Sequence, residues 1–457
     1  MTFRFLFRSL PAAALLAPCA LMAEVPTLQS AIGDPTDFKL SGSARLRYET
    51  LDGQTRADLR PSDEQLDSRV TLFAEYAPGT VRFGAELYDS RAWLNKPRDS
   101  LDTTEVNTLE LVQAYVAADF DAPFGAGSKA SLQAGRFKLD LGSRRLIAND
   151  DYRNTTTGFT GIRADLRTAG GVTATAIYVL PQVRLPDDRA SLADRHAQWD
   201  RESFDLQLWG GLIARPDTLA GATLEFGYFG LLERDWPGHA TRNRDLDTFS
   251  ARLIRDPKAG SFDFELEGFY QSGDIRTGTA PAAPEQAVGA WAMHGDAGYQ
   301  FPGKAKLRLS LEYDRVSGDK AGGKYGRFDT LYGMRRADFG PAGIYNDVGR
   351  ANIESLGLRA EIAPSPRFDA FATWHAMWLA EKTDAFSTTG VRDASGASGS
   401  FAGNQFDMRL RYWLVPKLLR AELNAVWLAK GRFLRDAPNA PDAGDTHYLA
   451  MAVTATF

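Results

Sequence analysis

The 457-residue sequence predicts an all-β fold, a membrane-spanning antiparallel β-barrel of about eighteen strands with short periplasmic turns and long extracellular loops. Three observations predict it. An export signal opens the chain, apolar and polar residues alternate through most of the remaining residues, and the connections between these runs are by turns long and short.

The signal comes first. Arg4 and Arg8 supply a positive start, and residues 9–17, largely Ala and Leu, form an apolar core too short to cross a bilayer as a helix. Cleavage is expected after Ala23, which discards Cys19, the single cysteine, and leaves a mature chain that forms no disulfide of its own. The expected organisation is a removed signal over 1–23, a short periplasmic segment over 24–37 and a barrel over 38–457. Losing Arg4 and Arg8 makes the net charge of −5 more negative still, which excludes nucleic acid as a partner.

The mean hydropathy of −0.30 is that of a soluble protein, but barrel strands put apolar side chains only on alternate positions and escape that average. The carboxyl end shows the pattern plainly. Leu449, Met451, Val453, Ala455 and Phe457 fall on one face, and Tyr448, Ala450, Ala452, Thr454 and Thr456 on the other. Likewise Phe262, Phe264 and Leu266 oppose Asp263, Glu265 and Glu267, and Leu307, Leu309 and Leu311 oppose Arg308, Ser310 and Glu312. Charges on the second face of many strands predict a polar interior. Such runs begin near residues 39, 67, 81, 107, 130, 158, 172, 200, 219, 245, 261, 286, 305, 351, 367, 403, 418 and 446, an even number, as a closed barrel with both ends in the periplasm requires.

Turn formers mark every second connection: Pro78 and Gly79, residues 123–127, Gly170 and Gly171, Pro216 and Asp217, residues 257–260, Pro302 and Gly303, residues 364–366, and Pro416. The others are long, among them 51–66, 181–199, 317–350 and 381–402. A soluble sandwich or propeller is the competing architecture, but no blade-length repeat is evident and sandwiches rarely need so many strands. A cylinder of about eighteen strands leaves an aqueous channel unless something fills it.

Two segments are basic within this acidic chain. In the first, residues 135–167, Arg136, Lys138, Arg144, Arg145, Arg153, Arg163 and Arg167 outnumber Asp140, Asp150, Asp151 and Asp165. Such a cluster in a narrow pore concentrates anions, since guanidinium forks match carboxylates; the plainer reading is that these arginines pair with the neighbouring aspartates and brace the wall. In the second, the long loop 317–350, Lys320, Lys324, Arg327, Arg335, Arg336 and Arg350 outnumber Asp319, Asp329, Asp338 and Asp347. Its aromatics Tyr325, Phe328, Tyr332, Phe339 and Tyr345 are too many for a freely solvated loop. It is expected to fold against the lumen or onto other loops, as a constriction or as a protective lid.

Gly135, Arg136, residues 139–142 and 144–147, Arg153, Asn154, Phe159, Gly161 and Arg163 resemble a signature of the alginate-export outer-membrane channels. Phe328, Leu331, Tyr332, Gly333, Gly340, Gly343, Arg350, Asn352 and Ile353 resemble a second, and Phe433, Leu434, residues 444–448 and Phe457 a third. The resemblance implies an eighteen-strand barrel whose arginine-lined constriction passes a polyanionic uronate chain. It brings forward Arg136, Arg144, Arg145, Arg153 and Arg163 as selectivity residues. Arg47, Arg359, Arg409 and Arg411 sit on predicted lumen faces without a motif match. The lumen also carries Glu49, Glu75, Glu86, Asp165, Glu265, Glu267, Glu361 and Asp407, a mixture that keeps open an uptake porin for other small acidic solutes.

The remaining function classes find less support. Gly125, Gly127 and Ala130 fit a nucleotide-binding glycine pattern, but a strand follows them, with no helix start to hold a phosphate. His196, His239, His294, His375 and His447 show no metal spacing and accompany no nucleophile elbow, so neither catalysis nor a cofactor is implied. An adhesive barrel would need functional loops, and the Ser- and Gly-rich residues 394–400 read as flexible. The implied partners are an anionic saccharide or small acidic solute, outer-membrane lipid and lipopolysaccharide; periplasmic secretion machinery is a further candidate, and the direction of transport stays open.

Overall fold

The computed structural model describes residues 27–335 and 338–457. The expected signal over 1–23 and Arg336 lie outside the described residues. The strands are β1 Phe38–Asp52, β2 Ser62–Tyr76, β3 Val81–Trp93, β4 Asn107–Asp121, β5 Lys129–Phe137, β6 Phe159–Arg167, β7 Thr173–Pro181, β8 Leu206–Arg215 and β9 Thr223–Glu233. They continue as β10 Asp245–Arg255, β11 Ser261–Arg276, β12 Glu285–Gln300, β13 Arg308–Val316, β14 Ile353–Ser365, β15 Phe368–Trp378, β16 Phe401–Val415, β17 Leu419–Lys430 and β18 Thr446–Thr456.

Each strand pairs antiparallel with the next, and β18 returns to β1, so the sheet of eighteen strands closes on itself. Ser43 stands opposite Thr456 and Asp52 opposite His447. At the short-turn end the Gly42 amide donates to the Phe457 carbonyl at 2.7 Å, and the Phe457 amide donates back at 3.0 Å. The Phe457 ring occupies the space a Cβ on residue 42 would need, which is why glycine stands there.

The faces are inverted relative to a soluble protein. On β11, Phe262 is 71% and Leu266 56% exposed, whereas Asp263 and Glu267 on the alternate face are 3% and 6% exposed. Strands apolar outside and charged inside belong in lipid, and this rules against a soluble sandwich. Three strand starts differ from the sequence pattern by four residues or more. β2 begins at Ser62 rather than near 67, because Asp63 and Gln65 face inward and Glu64 outward, leaving no apolar alternation to announce it. β8 begins at Leu206 rather than near 200, since Arg201 is tied to Val183 by a reciprocal pair of backbone hydrogen bonds. β9 begins at Thr223, after a 3-10 turn at Leu219–Gly221 takes up the expected start.

The apolar core lies inside the barrel, where the long loops fold inward. Residues 138–158 contribute Leu139, Leu141, Leu146 and Ile147; residues 317–352 contribute Phe328, Phe339, Ile344 and Tyr345; and Phe386, Phe433 and Leu434 come from the last two long loops. The first two loops join each other: the Tyr332 amide donates to the Leu146 carbonyl at 2.9 Å, Ala148 to Tyr332 at 3.0 Å and Met334 to Arg144 at 3.0 Å. Segment 317–352 then crosses the lumen. At one wall the Asp329 amide donates to Gln271 Oε1 on β11 at 3.0 Å, and at the other the Ile344 amide donates to Glu49 Oε2 on β1 at 3.0 Å. The two loops together divide the lumen.

Candidate functional site

The divider is pinned by charge. Arg145, 5% exposed, donates through Nη1 to Glu267 at 2.7 Å and through Nε and Nη2 to Asp338 at 3.0 Å, and it also pairs with Glu265. Asp338 takes Arg350 as well, and Arg350 donates to the Met334 carbonyl at 2.5 Å. Burial opposes the charge on Arg145, but Glu265 and Glu267 outweigh it and hold the guanidinium more firmly protonated than usual. Burial, together with repulsion from Arg145, lowers Arg350 to about 9. Glu265 and Glu267 belong to β11, so these pairs fasten both loops to the wall.

On the short-turn side of the divider lies a chamber of about 380 Å3. Eight arginines line it against two carboxylates, Asp151 and Glu422, among the described residues. Its wall is contiguous in the sheet from β14 to β18 and on to β2: β14, β16, β17, β1 and β2 supply Arg359, Arg409 and Arg411, Arg420, Arg45 and Arg47, and Arg69, while β15 and β18 supply Phe371 and Ala452 and Thr454. Period-two geometry explains the clustering, because Arg45 and Arg47, like Arg409 and Arg411, are two residues apart and share the inner face.

These arginines differ in what holds them. Arg47 is 2% exposed and pairs with Glu49 at 2.6 Å and Asp67 at 2.9 Å. Arg359 pairs with Glu361 at 2.8 Å and lies 3.9 Å from the centroid of the Phe371 ring, which Arg409 also approaches at 4.8 Å. Asp369 takes Arg411 at 2.9 Å and Arg409 at 3.3 Å, and Arg420 stands 3.6 Å from Glu422. Arg45 and Arg69 face each other across the β1–β2 pair and are held by main-chain oxygens instead. Arg45 donates to the carbonyls of Asp151 and Tyr152 at 3.2 Å and of Arg153 at 2.7 Å; Arg69 donates to those of Asp151 at 3.0 Å and Arg153 at 3.1 Å. Carbonyl dipoles hold a guanidinium without cancelling its charge. Arg45, Arg69 and Arg144 have no ion-pair partner among the described residues, so the chamber keeps an excess of positive charge.

The sequence-predicted arginines therefore divide. Arg47, Arg144, Arg359, Arg409 and Arg411 come together in the chamber. Arg136 lies apart on β5, between Glu110 at 2.7 Å and Glu202 at 3.1 Å; Arg163 lies on β6, forked onto Asp165 at 2.6 and 3.0 Å; Arg153 pairs with Asp150 at 3.1 Å; Arg145 is the buried pin of the divider. Sequence reasoning did not single out Arg45, Arg69 or Arg420. A signal existed for the first, which shares the inner face with Arg47, and Arg69 is then its cross-strand partner.

An inverted, closed cylinder with a charged lumen defines an outer-membrane β-barrel channel, integral to that membrane, with the short turns in the periplasm and the long loops outside. The chain belongs to the alginate-export family, whose model matches residues 36–443. No curated protein matches it. Solved structures share the architecture. Pseudomonas aeruginosa OccK2 (OpdF) in complex with glucuronate aligns at a TM-score of 0.57 and 14% identity over 92% of this chain and 98% of that one. Acinetobacter baumannii OccAB1 aligns at 0.57 and 14% over 92% and 97%, and Pseudomonas aeruginosa OpdK with vanillate at 0.57 and 14% over 92% and 98%. At that identity the likeness is one of fold.

Proposed function

We propose that this channel passes acidic saccharides, uronates and their oligomers, down a gradient through the arginine chamber. The observation that carries the reading is eight arginines lining one cavity of about 380 Å3 against two carboxylates. A carboxylate entering the chamber exchanges its water for fixed guanidinium donors that are already oriented, at little reorganisation cost. Arg45, Arg69 and Arg144 supply the uncancelled charge that attracts it. Arg359, Arg409, Arg411 and Arg420 supply forks whose own carboxylates keep them in place and keep the affinity low enough for release, while Arg47, buried between Glu49 and Asp67, holds the wall behind them. In this reading Arg136, Arg145, Arg153 and Arg163 shape and brace the lumen. The family and the glucuronate-bound OccK2 structure support a uronate. The chamber volume falls within the roughly 300–1,000 Å3 typical of small-molecule sites, so one or two sugar units at a time suit it better than a rigid polymer.

The test is the reversal potential of single barrels in a potassium chloride gradient, followed by block with glucuronate and oligomannuronate. The expected outcome is anion preference and concentration-dependent block. A barrel that prefers cations, or that neither acid blocks, removes the proposal.

A further inference from the structure

On the extracellular side of the divider lies a second cavity, of about 500 Å3, which the proposed function does not use. Five arginines, Arg242, Arg244, Arg327, Arg335 and Arg350, line it against Glu233 and Asp329. Both carboxylates are already taken. Arg244 lies between them, 2.6 Å from Glu233 and 2.9 Å from Asp329, and Arg327 is engaged at 2.8 Å by Asp384.

Two of the remaining arginines have no ion-pair partner among the described residues. Arg242 donates to the Arg276 carbonyl and the Tyr325 hydroxyl, both at 2.9 Å, and its guanidinium stands 4.6 Å from the centroid of the Tyr325 ring. Arg335 donates through Nη1 to the Asn346 side-chain oxygen, to the Asn346 carbonyl at 3.1 Å and to Thr388 Oγ1 at 3.4 Å. Arg350, 3% exposed, is already engaged by Asp338 and the Met334 carbonyl. Arg242 and Arg335 therefore bring to this cavity two positive charges that no carboxylate cancels, and a charge-assisted hydrogen bond from a guanidinium to an anion is about twice as strong as a neutral one. Burial and the nearby Arg153 lower Arg335 to about 10, still well above neutral pH, so the guanidinium is charged where the channel works.

We propose that this outer chamber is a second anion site, which takes the carboxylate of an acidic saccharide on Arg242 and Arg335 before the solute meets the divider. Tyr325 and Thr388 set hydroxyls beside it for the sugar. Two sites in series, on either side of a charged partition, let an arriving anion repel the one ahead, so binding and release proceed together. The choice of a saccharide rests on the proposed function; the anion site itself does not.

Calorimetric titration of the detergent-solubilised barrel distinguishes these. Sodium glucuronate and inorganic phosphate are titrated separately into the wild type, Arg242→Gln, Arg242→Lys and Arg69→Gln. Two sites per barrel are expected in the wild type. Arg242→Gln weakens one of them by about tenfold, the equivalent of about 1.4 kcal/mol, Arg242→Lys recovers part of the loss, and Arg69→Gln weakens the other. One site in the wild type for both probes, or two undisturbed sites in Arg242→Gln, overturns the proposal. Two sites for phosphate with none for glucuronate upholds the outer anion site and overturns the saccharide reading instead.

Discussion

Arg69→Gln tests the inner chamber with the least collateral damage. Arg69 has no carboxylate partner among the described residues, so the substitution subtracts a full positive charge without orphaning an acid, whereas Arg411→Gln would leave Asp369 to Arg409 alone and more open to the solute. Arg45 keeps its own hydrogen bonds to Asp151, Tyr152 and Arg153, so the divider stays gripped from β1. A uronate at the centre of a chamber of about 380 Å3 sits about 5 Å from a wall charge, where Coulomb's law at an effective dielectric of about 20 gives about 3 kcal/mol. Arg69 is only half-buried, and water in the chamber takes roughly half of that away, leaving about 1.5 kcal/mol, a tenfold weakening. The assay is block of single-channel chloride current by glucuronate added on the periplasmic side. The half-blocking concentration is expected to rise about tenfold, the anion preference to shrink, and Arg69→Lys to restore most of both. If Arg69→Gln leaves block and preference unchanged while Arg163→Gln shifts them, the selectivity element lies on β6 and the reasoning from uncancelled charge is refuted.

Three further outcomes rest on the same geometry. Arg145→Gln leaves Asp338 to Arg350 and Glu265 to Arg252 but strands the buried Glu267, a loss on the order of 3–5 kcal/mol for a buried pair; the expected readout is a lower melting temperature with a larger, noisier single-channel conductance as the divider loosens. Asp347, buried in the lumen-crossing loop with Arg56 3.7 Å away, is raised by burial from 3.8 to about 7. The folded state therefore holds a proton that the unfolded state has released, and this contribution is fully present below about pH 4 and lost as pH rises through about 7. Once corrected for the intrinsic base-catalysed rate, hydrogen-exchange protection at residues 343–347 should accordingly be greater at pH 5 than at pH 8, and Asp347→Asn should remove that difference. Gly42→Val sets a side chain against the Phe457 ring, and barrels of this variant are expected to unfold in warm detergent at a lower temperature than the wild type on a gel-shift assay.

The wall was legible in the sequence because a strand declares its two faces residue by residue, and Pro and Gly declare its ends. Leu449, Met451 and Val453 could be assigned to lipid, and Arg47, Arg359, Arg409 and Arg411 to the lumen, from parity alone. Parity says where a side chain points and nothing about what waits there. Arg163 and Arg411 both face inward, yet Arg163 is forked onto Asp165 two residues along its own strand while Arg411 opens onto the chamber. The divider shows the same limit. The aromatics of 317–350 announced a packed loop, but its anchors Gln271 and Glu49 lie on β11 and β1, and no local pattern links residues so far apart.

The seam between β1 and β18 governs when the molecule can exist at all. Ser43 waits for Thr456 and Gly42 for Phe457, so the first strand is synthesised long before its last neighbour, and every stage short of the end leaves two raw sheet edges. A pairing of such long sequence separation is slow to find, and a chain cut off by a premature stop never finds it. A protein truncated before β18 is therefore not a narrower channel but an open sheet, with the edges of β1 and β17 both left unpaired.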